Sequence, residues 1–122
     1  MKLHQTASSH YQTVTGYDEL GVHINGQRYA HSLLVLPEIA PVAWAGPSFE
    51  ALCEDDFARI AAHQPDLVIL GTGARQRFIH PRLSAALAAQ RIGVECMDSK
   101  AACRTYNILM TEGRKVALAL IL

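Results

Sequence analysis

The sequence predicts a single α/β domain with a mixed β-sheet, a βαβ unit and about three helices. The chain has 122 residues, half of them hydrophobic, which is a length and an apolar content that suit one folded domain. The first half carries strand and turn signals, and the second half alternates helical and strand patterns. We expect residues 11–122 to form this domain and the polar residues 1–10 to be a flexible N-terminus.

The first half contains a strong hairpin signal at Asn25-Gly26. A type I′ turn needs positive φ at both central residues, and Asn-Gly tolerates that conformation well. With this pair as the loop, Val22 faces Tyr29 across two strands. We expect the second strand to continue through the apolar run 33–36, whose composition indicates burial on both faces. A further short strand is expected over 42–45.

The second half predicts alternating helices and strands. A short amphipathic helix begins near Glu54-Asp55-Asp56, which we expect to form a solvated acidic first turn. The later elements follow in order: strand 67–70, helix 81–90, strand 94–97, a helix capped by Asp98 or Ser99 and ended by Gly113, and strand 116–121. Because βαβ crossovers are right-handed and join parallel strands, strands 67–70 and 94–97 should end at the same edge of the sheet.

Charge and cysteine content exclude several classes of protein. Eleven basic and eleven acidic residues give zero formal charge, without the basic surplus typical of nucleic-acid binding. Cys53, Cys96 and Cys103 form no CxxC pair and are too few for a disulfide framework. Residues 1–17 lack the apolar segment of a signal peptide, and the run 116–122 is shorter than the ~20 residues of a membrane span. We expect a cytoplasmic protein with no direct membrane insertion.

A candidate ligand site follows the two parallel strands. Glycines allow close backbone approach to a ligand, arginines pair with phosphate or carboxylate, and a helix N-terminus attracts anions. Ligands of open α/β sheets bind beyond the carboxyl ends of the strands. The ligand-binding candidates are Gly71, Thr72, Gly73, Arg75, Arg77, Asp98, Ser99, Arg104 and Asn107. The alternative is a structural network, with a tight strand exit and Asp98 capping the helix.

An enzyme that uses the crevice formed by residues 71–78 and 98–104 is an alternative to a binding module, but a non-enzymatic protein is the favoured expectation. No Cys or Ser lies in a pattern with a His base, so no catalytic residue is assigned. The His, Cys, Asp and Glu residues lack metal-ligand spacing, so we expect neither a metal nor a cofactor. Cys96 and Cys103 fall on a strand and a helix that should pack, which favours inert core thiols over a redox role.

Three aromatic residues are candidates for binding a protein partner. Tyr29, Trp44 and Phe78 could contribute to an exposed apolar or mixed patch, since aromatic side chains are enriched in binding hot spots. For Trp44 a place in the core is the favoured alternative.

Two motif blocks resemble a small α/β family of unknown function whose eukaryotic members include mitochondrial respiratory complex I assembly factor 3. The resemblance extends from about Tyr11 to the end of the chain, and Ser99 stands where the family usually has Thr. It implies a single α/β domain with a β-hammerhead-like strand arrangement, no established catalytic residues, and a binding or assembly module whose partners include membrane-complex assembly intermediates. The segments that carry it are 66–73, 75–78, 93–99, 101–109 and 112–114.

Overall fold

Two β-sheets and three α-helices make up the described part of the chain, residues 11–46 and 48–122 of a computed structural model. The expected flexible N-terminus, residues 1–10, lies outside the described residues. The strands are β1 (Val14–Asp18), β2 (Gly21–Ile24), β3 (Gln27–Tyr29), β4 (Leu33–Leu36), β5 (Ile39–Ala43), β6 (Leu67–Gly71), β7 (Gly93–Met97) and β8 (Val116–Leu120). The helices are α1 (Glu54–Ala61), α2 (Ala85–Ala89) and α3 (Ser99–Thr111), with a 3₁₀ turn at Phe49–Ala51.

The strands form one antiparallel and one mixed sheet. Strands β1, β2 and β3 make a three-stranded antiparallel sheet, and the larger sheet has the order β5-β4-β8-β6-β7. In the larger sheet β6 is parallel to both β7 and β8, whereas β4 is antiparallel to β5 and β8. The α/β class, the mixed sheet and the parallel βαβ unit are therefore confirmed.

The predicted hairpin is present in the predicted register. Asn25 has φ +50° and Gly26 has φ +86°, as a type I′ turn requires. Val22 pairs with Tyr29, and β1 adds to the other edge of β2. Strand β3 nevertheless stops at Tyr29, so the expected continuation through 33–36 is wrong. The chain leaves the small sheet at this point, and 33–36 becomes a strand of the large sheet, where all four of its residues are buried.

Strand β5 starts earlier than expected and runs through Pro41. Val42 pairs with Leu34, and the Trp44 N–H donates to the Ser32 carbonyl oxygen at 3.1 Å. Backbone N–H groups along a strand point alternately to its two sides, and that of Trp44 points to the β4 side. The nitrogen of Pro41 therefore points away from β4, and its missing N–H costs no hydrogen bond in the sheet. Because β5 is an edge strand, it can include Pro41, and it covers Ile39–Ala43 instead of the predicted 42–45.

Helix α2 is shorter than the predicted helix 81–90. Residues 81–84 form turns instead, with the Ser84 N–H donating to the Pro81 carbonyl oxygen at 3.2 Å. The Arg82 N–H donates to His80 Nδ1 at 3.0 Å, so a side chain takes up an amide of the expected first helical turn. The amides of Leu83 and Ala85 likewise donate to carbonyl oxygens three residues back, a tighter turn than the four-residue step of an α-helix, so the α-helix starts only at Ala85.

The large sheet separates two hydrophobic clusters. On one face, α1 and α2 pack over alternate residues of β4, β6 and β8. On the other face, α3 and the small sheet pack over the remaining residues of the same strands. Trp44 is only 1% exposed, its Nε1–H donates to the Asp56 carbonyl oxygen at 2.8 Å, and its ring meets Phe57 edge to face. Among the described residues no helix is both long and apolar enough to cross a bilayer.

The first turn of α1 differs from the expected solvated turn. Asp56 is buried, and its carboxylate accepts a hydrogen bond from the Cys53 N–H at 2.9 Å. Arg59 lies 3.5 Å from the same carboxylate, one turn along the helix. Asp56 therefore caps the helix start, while Glu54 and Asp55 remain exposed.

Candidate functional site

The carboxyl ends of β6 and β7 lie side by side, as the βαβ prediction requires. Gly71 at the end of β6 is opposite Met97 at the end of β7. The chain then leaves these strands towards opposite faces of the sheet, to α2 on one face and α3 on the other. Such a change of direction between neighbouring strands is where open α/β sheets commonly bind ligands.

Hydrogen bonds join the two strand exits at the position of the expected crevice. The Gly73 N–H donates to Ser99 Oγ and the Ser99 N–H donates to the Gly73 carbonyl oxygen, both at 2.8 Å. The Thr72 N–H donates to the Met97 carbonyl oxygen, also at 2.8 Å. The two loops share one rim, as predicted, and they contact each other directly, with a depression lined by Gly73, Ala74, Asp98 and Lys100 beside the contact.

The start of α3 is capped by the protein itself. Asp98 Oδ1 accepts a hydrogen bond from the Ala101 N–H at 2.9 Å, and the Gly73 carbonyl oxygen takes the Ser99 N–H. Two of the amides that were expected to attract an anion, those of Ser99 and Ala101, therefore already have acceptors. This is the structural alternative given above, in which Asp98 serves as an N-cap.

Gly71 and Thr72 have structural roles in the contact between residues 71–73 and 97–99, which we call the seam. A Cβ atom on Gly71 would lie 2.6 Å from Leu120 Cδ2 and 2.9 Å from Ser99 Oγ, so only glycine fits there without displacement. The buried Thr72 Oγ1 lies 2.7 Å from the Arg75 carbonyl oxygen and accepts a hydrogen bond from the Arg77 N–H at 3.1 Å. The predicted close backbone approach is present, and in the structure its partners are Ser99 of α3 and Leu120 of β8.

The two arginines of the loop differ in their surroundings. The Arg77 guanidinium donates to Glu50 Oε2 at 2.6 Å and lies 4.3 Å from the centre of the Phe49 ring. The hydrogen bond from Arg77 lowers the pKa of Glu50 below its ordinary value. Arg75 is exposed and forms no ion pair within the part of the chain that the structure describes. Both arginines line a shallow depression of about 400 Å³ beside Ser48.

A second depression lies on the other side of the seam. It has a volume of about 530 Å³ and is lined by Tyr17, Glu19, Asp98 and Lys100, among others. Burial raises the pKa of Tyr17 above its ordinary value. The seam is thus flanked by one depression that contains two arginines and another in which carboxylates outnumber the single lysine.

Arg104 and Asn107 lie apart from the other candidates. Arg104 is exposed on α3. The Asn107 side chain accepts a hydrogen bond from the Val14 N–H at 3.0 Å and donates one to the Val14 carbonyl oxygen at 2.8 Å. Asn107 therefore holds β1 against α3. Its side chain makes the two hydrogen bonds to Val14 that the backbone of a neighbouring strand would otherwise make. The sequence offered no signal for this contact between residues 93 positions apart.

The three aromatic partner candidates have different environments. Phe78 is 77% exposed in the loop after β6, and Tyr29 is half-buried on β3 with an edge-to-face contact to His31. Trp44 belongs to the core, the alternative favoured for it, so its ring offers no surface to a partner. Of the three, Phe78 alone combines a large apolar side chain with high exposure.

A family model described as a protein of unknown function (DUF498/DUF598) matches residues 14–121. The chain belongs to this family. It is 31% identical over 123 residues to human NADH dehydrogenase [ubiquinone] 1 alpha subcomplex assembly factor 3, covering 99% of this chain and 66% of that protein. The bovine protein of the same name is 32% identical over 110 residues, covering 88% and 59%. An uncharacterised protein of Rhodobacter capsulatus is 34% identical, covering 88% and 82%.

The chain spans less than two thirds of the length of these assembly factors. Solved bacterial structures of the family match nearly all of it. A Bordetella parapertussis protein superposes with a TM-score of 0.86 at 36% identity, covering 91% of this chain and 95% of that one. A Bordetella pertussis protein described as a Mth938-like domain gives 0.79 at 31% identity, covering 95% and 87%. The fold is therefore the Mth938-like α/β fold.

The free thiols of this family member lie in unequal environments. Burial raises the pKa of Cys103 to about 12 and also raises the pKa of Cys96. Cys53 is exposed just before α1. A thiol whose pKa is raised holds its proton at neutral pH and is a poor nucleophile, which disfavours the redox alternative at Cys96 and Cys103.

Proposed function

We propose that this protein is a non-enzymatic binding module that assists the assembly of a larger protein complex, with the loop of residues 72–80 as its binding surface. The observation that carries the proposal is Phe78, a large apolar side chain held 77% exposed on an anchored loop. Aromatic and arginine side chains dominate the energetics of protein interfaces. Phe78 and the exposed Arg75 supply one of each on this loop.

The neighbours of Phe78 are fixed on both sides. Arg77 is held through its backbone by Thr72 and through its guanidinium by Glu50. Ile79, the next residue, packs against the hydrophobic cluster beneath α1 and α2. Because the backbone is already ordered, binding through Phe78 would cost little additional conformational entropy.

The same loop is also attached to the outer strand of the large sheet. Gln76 Nε2 donates to the Cys96 carbonyl oxygen at 2.9 Å, which joins the loop to β7. The attachment supports a preorganised surface rather than a loop that orders on contact.

The relatives suggest the class of partner. The eukaryotic relatives are named as assembly factors of NADH dehydrogenase. We infer that this chain binds subunits of a membrane-bound NADH dehydrogenase before they enter the complete enzyme. A cytoplasmic location belongs to the same proposal and is supported by three free cysteines, which suit a reducing compartment.

A photo-crosslinking amino acid at position 78 tests this proposal in cells of the source organism. Leu20, a turn residue that is 76% exposed, is the matched control position. We expect NADH dehydrogenase subunits to crosslink at position 78 and not at position 20. Crosslinks to no such subunit, or equal yields at both positions, would contradict the proposal.

The corresponding charge substitutions give a functional readout. Phe78→Asp should lower the amount of assembled NADH dehydrogenase several-fold in a strain that lacks the wild-type gene, because a hot-spot residue contributes at least ~2 kcal/mol to binding. Leu20→Asp should support wild-type levels. Native gel electrophoresis of membranes measures the assembled enzyme, and equal levels in the two strains would remove Phe78 from the binding surface.

A second candidate function is the binding of a small anionic ligand in the depression beside Arg75. It is favoured by the exposed guanidinium of Arg75, which no carboxylate of the described residues neutralises in an ion pair. Titration with phosphate, nucleotides and carboxylates should shift the amide NMR signals of residues 73–78, and Arg75→Ala should abolish the shifts. Absence of shifts at millimolar ligand would exclude this function for those ligands.

A further inference from the structure

A separate groove lies at the opposite end of the large sheet from Phe78. It is formed by the β4–β5 turn on one side and by the connection from α3 to β8 on the other. Its volume is about 320 Å³, at the lower end of the ~300–1,000 Å³ range of small-ligand pockets. We call it the Arg114 groove, and its principal residues are Tyr11, Pro37, Glu38, Ile39, Arg114 and Lys115.

The cationic wall of the groove is rigid. Gly113 ends α3 with φ +89°, and the Arg114 N–H donates back to the Leu109 carbonyl oxygen at 3.1 Å. Lys115 and Asp66 exchange two hydrogen bonds. The Asp66 N–H donates to the Lys115 carbonyl oxygen at 2.7 Å, and the Lys115 N–H donates to Asp66 Oδ2 at 3.0 Å. The backbone that carries the two cations is thus fixed before any ligand binds.

The opposite wall combines the apolar residues Leu36, Pro37 and Ile39 with Glu38, and it is equally well anchored. Leu36 and Pro37 are buried, whereas Ile39 is partly exposed. Leu36 pairs with Ile39 across the β4–β5 turn, and the Pro37 carbonyl oxygen accepts a hydrogen bond from the Gln12 N–H at 2.8 Å. A carbon chain lying on this wall would itself leave water and would cover the exposed part of Ile39.

The charges of the groove favour an anion. Arg114 and Lys115 are exposed, and neither forms an ion pair with a residue in 11–46 or 48–122. Glu38 is the single acidic side chain among the lining residues, which leaves the lining with one net positive charge, and the Asp66 carboxylate that accepts the Lys115 N–H is not part of that lining. The carbonyl groups at the end of α3 oppose an anion, but their partial charge is smaller than that of two cations.

From the cationic wall, the apolar wall and the size of the groove, we propose that the Arg114 groove binds a small organic anion with a short apolar body, such as an aliphatic carboxylate. The carboxylate would lie between Arg114 and Lys115, and the carbon chain would lie against Pro37 and Ile39. This site is independent of the Phe78 surface, from which the length of the sheet separates it.

Amide NMR titration of the whole chain with hexanoate tests the proposal. Phosphate, which lacks the carbon chain, and hexan-1-ol, which lacks the charge, are the comparison probes. We expect saturable shifts at Ile39, Gly113 and Lys115 with hexanoate. Phosphate and hexan-1-ol should each bind at least about fivefold more weakly, since each lacks a contribution of roughly 1 kcal/mol. Equal responses to hexanoate and either comparator would overturn the proposal, as would no saturable shift at millimolar hexanoate.

Charge reversal identifies the residues responsible. Arg114→Glu with Lys115→Glu should weaken hexanoate binding by about tenfold or more, because two attractions near a protein surface become repulsions. The matched control, Arg91→Glu with Arg104→Glu, changes net charge equally at exposed positions outside the groove and should leave the affinity unchanged. Glu38→Gln should tighten binding. If the two double variants bound hexanoate equally weakly, net charge alone would explain the loss and the proposed site would be wrong.

Discussion

At the scale of single residues, the glycine at the end of β6 is explained by its packing against Leu120 and Ser99. Gly71→Ala would place a Cβ atom 2.6 Å from Leu120 Cδ2 and 3.1 Å from Ser99 Cα. We expect this substitution to lower the free energy of unfolding by about 1–3 kcal/mol, because overpacking forces the sheet and α3 apart. Urea denaturation measures the difference.

Gly93→Ala is the matched control for that substitution. Gly93 also lies at an end of a strand of the same parallel pair, but its added Cβ would meet nothing closer than Leu67 Cδ1 at 3.7 Å. It should change the stability by less than Gly71→Ala does. Equal losses at the two positions would show that the cost belongs to strand glycines in general and not to the seam.

A second residue-scale prediction concerns Cys103 and alkaline pH. Its pKa is raised from 9.0 to about 12 by burial, so the unfolded chain loses this proton at a lower pH than the folded chain does. The free energy of unfolding should therefore fall as pH rises from about 9 towards 12. Burial also raises the pKa of Tyr106, which adds to the loss above its ordinary value of 10.

Urea unfolding at a series of pH values measures this loss. Cys103→Ala should make the decline between pH 9 and 10 less steep, although the lost volume lowers the stability at every pH. Cys53→Ala removes an exposed thiol and should leave the slope unchanged. A slope in Cys103→Ala as steep as in the wild type would contradict the assigned role of burial.

These residues also show which parts of the site sequence reasoning can reach. The positions of Thr72, Gly73 and Ser99 on a common rim followed from the parallel strands, and the structure has them in contact. Whether the rim is open or closed depends on individual hydrogen bonds between side chains and backbone. No pattern of spacing records those bonds, so the sequence did not predict the direct contact between the two loops.

At the scale of secondary-structure elements, prediction succeeded where local chemistry decides the conformation. The Asn25-Gly26 turn fixed its hairpin, and Asp98 and Gly113 mark the two ends of α3. It failed where tertiary contacts compete with the local pattern. Strand β3 ends early because the next segment joins the other sheet, and Pro41 is tolerated because β5 lies at an edge.

The attachment of the small sheet to α3 gives an element-scale prediction. Asn107→Ala would leave the N–H and carbonyl groups of Val14 without their side-chain partners, at a cost of about 1–3 kcal/mol. Hydrogen exchange should accelerate in residues 14–18, because β1 loses an anchor to the helix. Arg104→Ala, an exposed substitution on the same helix, should leave exchange unchanged. Unaltered hydrogen exchange of β1 in Asn107→Ala would contradict the role of Asn107 in holding β1 against α3.

At the scale of the whole molecule, one sheet connects both hydrophobic clusters. Residues of β4, β6 and β8 point alternately into the cluster beneath α1 and α2 and into the cluster beneath α3. Loss of either cluster exposes one face of strands whose other face is still packed. The two clusters should therefore unfold together, as a single cooperative transition.

The single tryptophan allows this cooperativity to be measured. Trp44 lies in the cluster beneath α1 and α2, whereas Val22 of the small sheet lies in the other cluster. Val22→Ala should lower the free energy of unfolding by roughly 1–3 kcal/mol, and the urea midpoint followed by Trp44 fluorescence should fall with the midpoint followed by circular dichroism. If the fluorescence midpoint stayed at its wild-type value, the small sheet would be unfolding on its own, and the large sheet would not transmit stability between its faces.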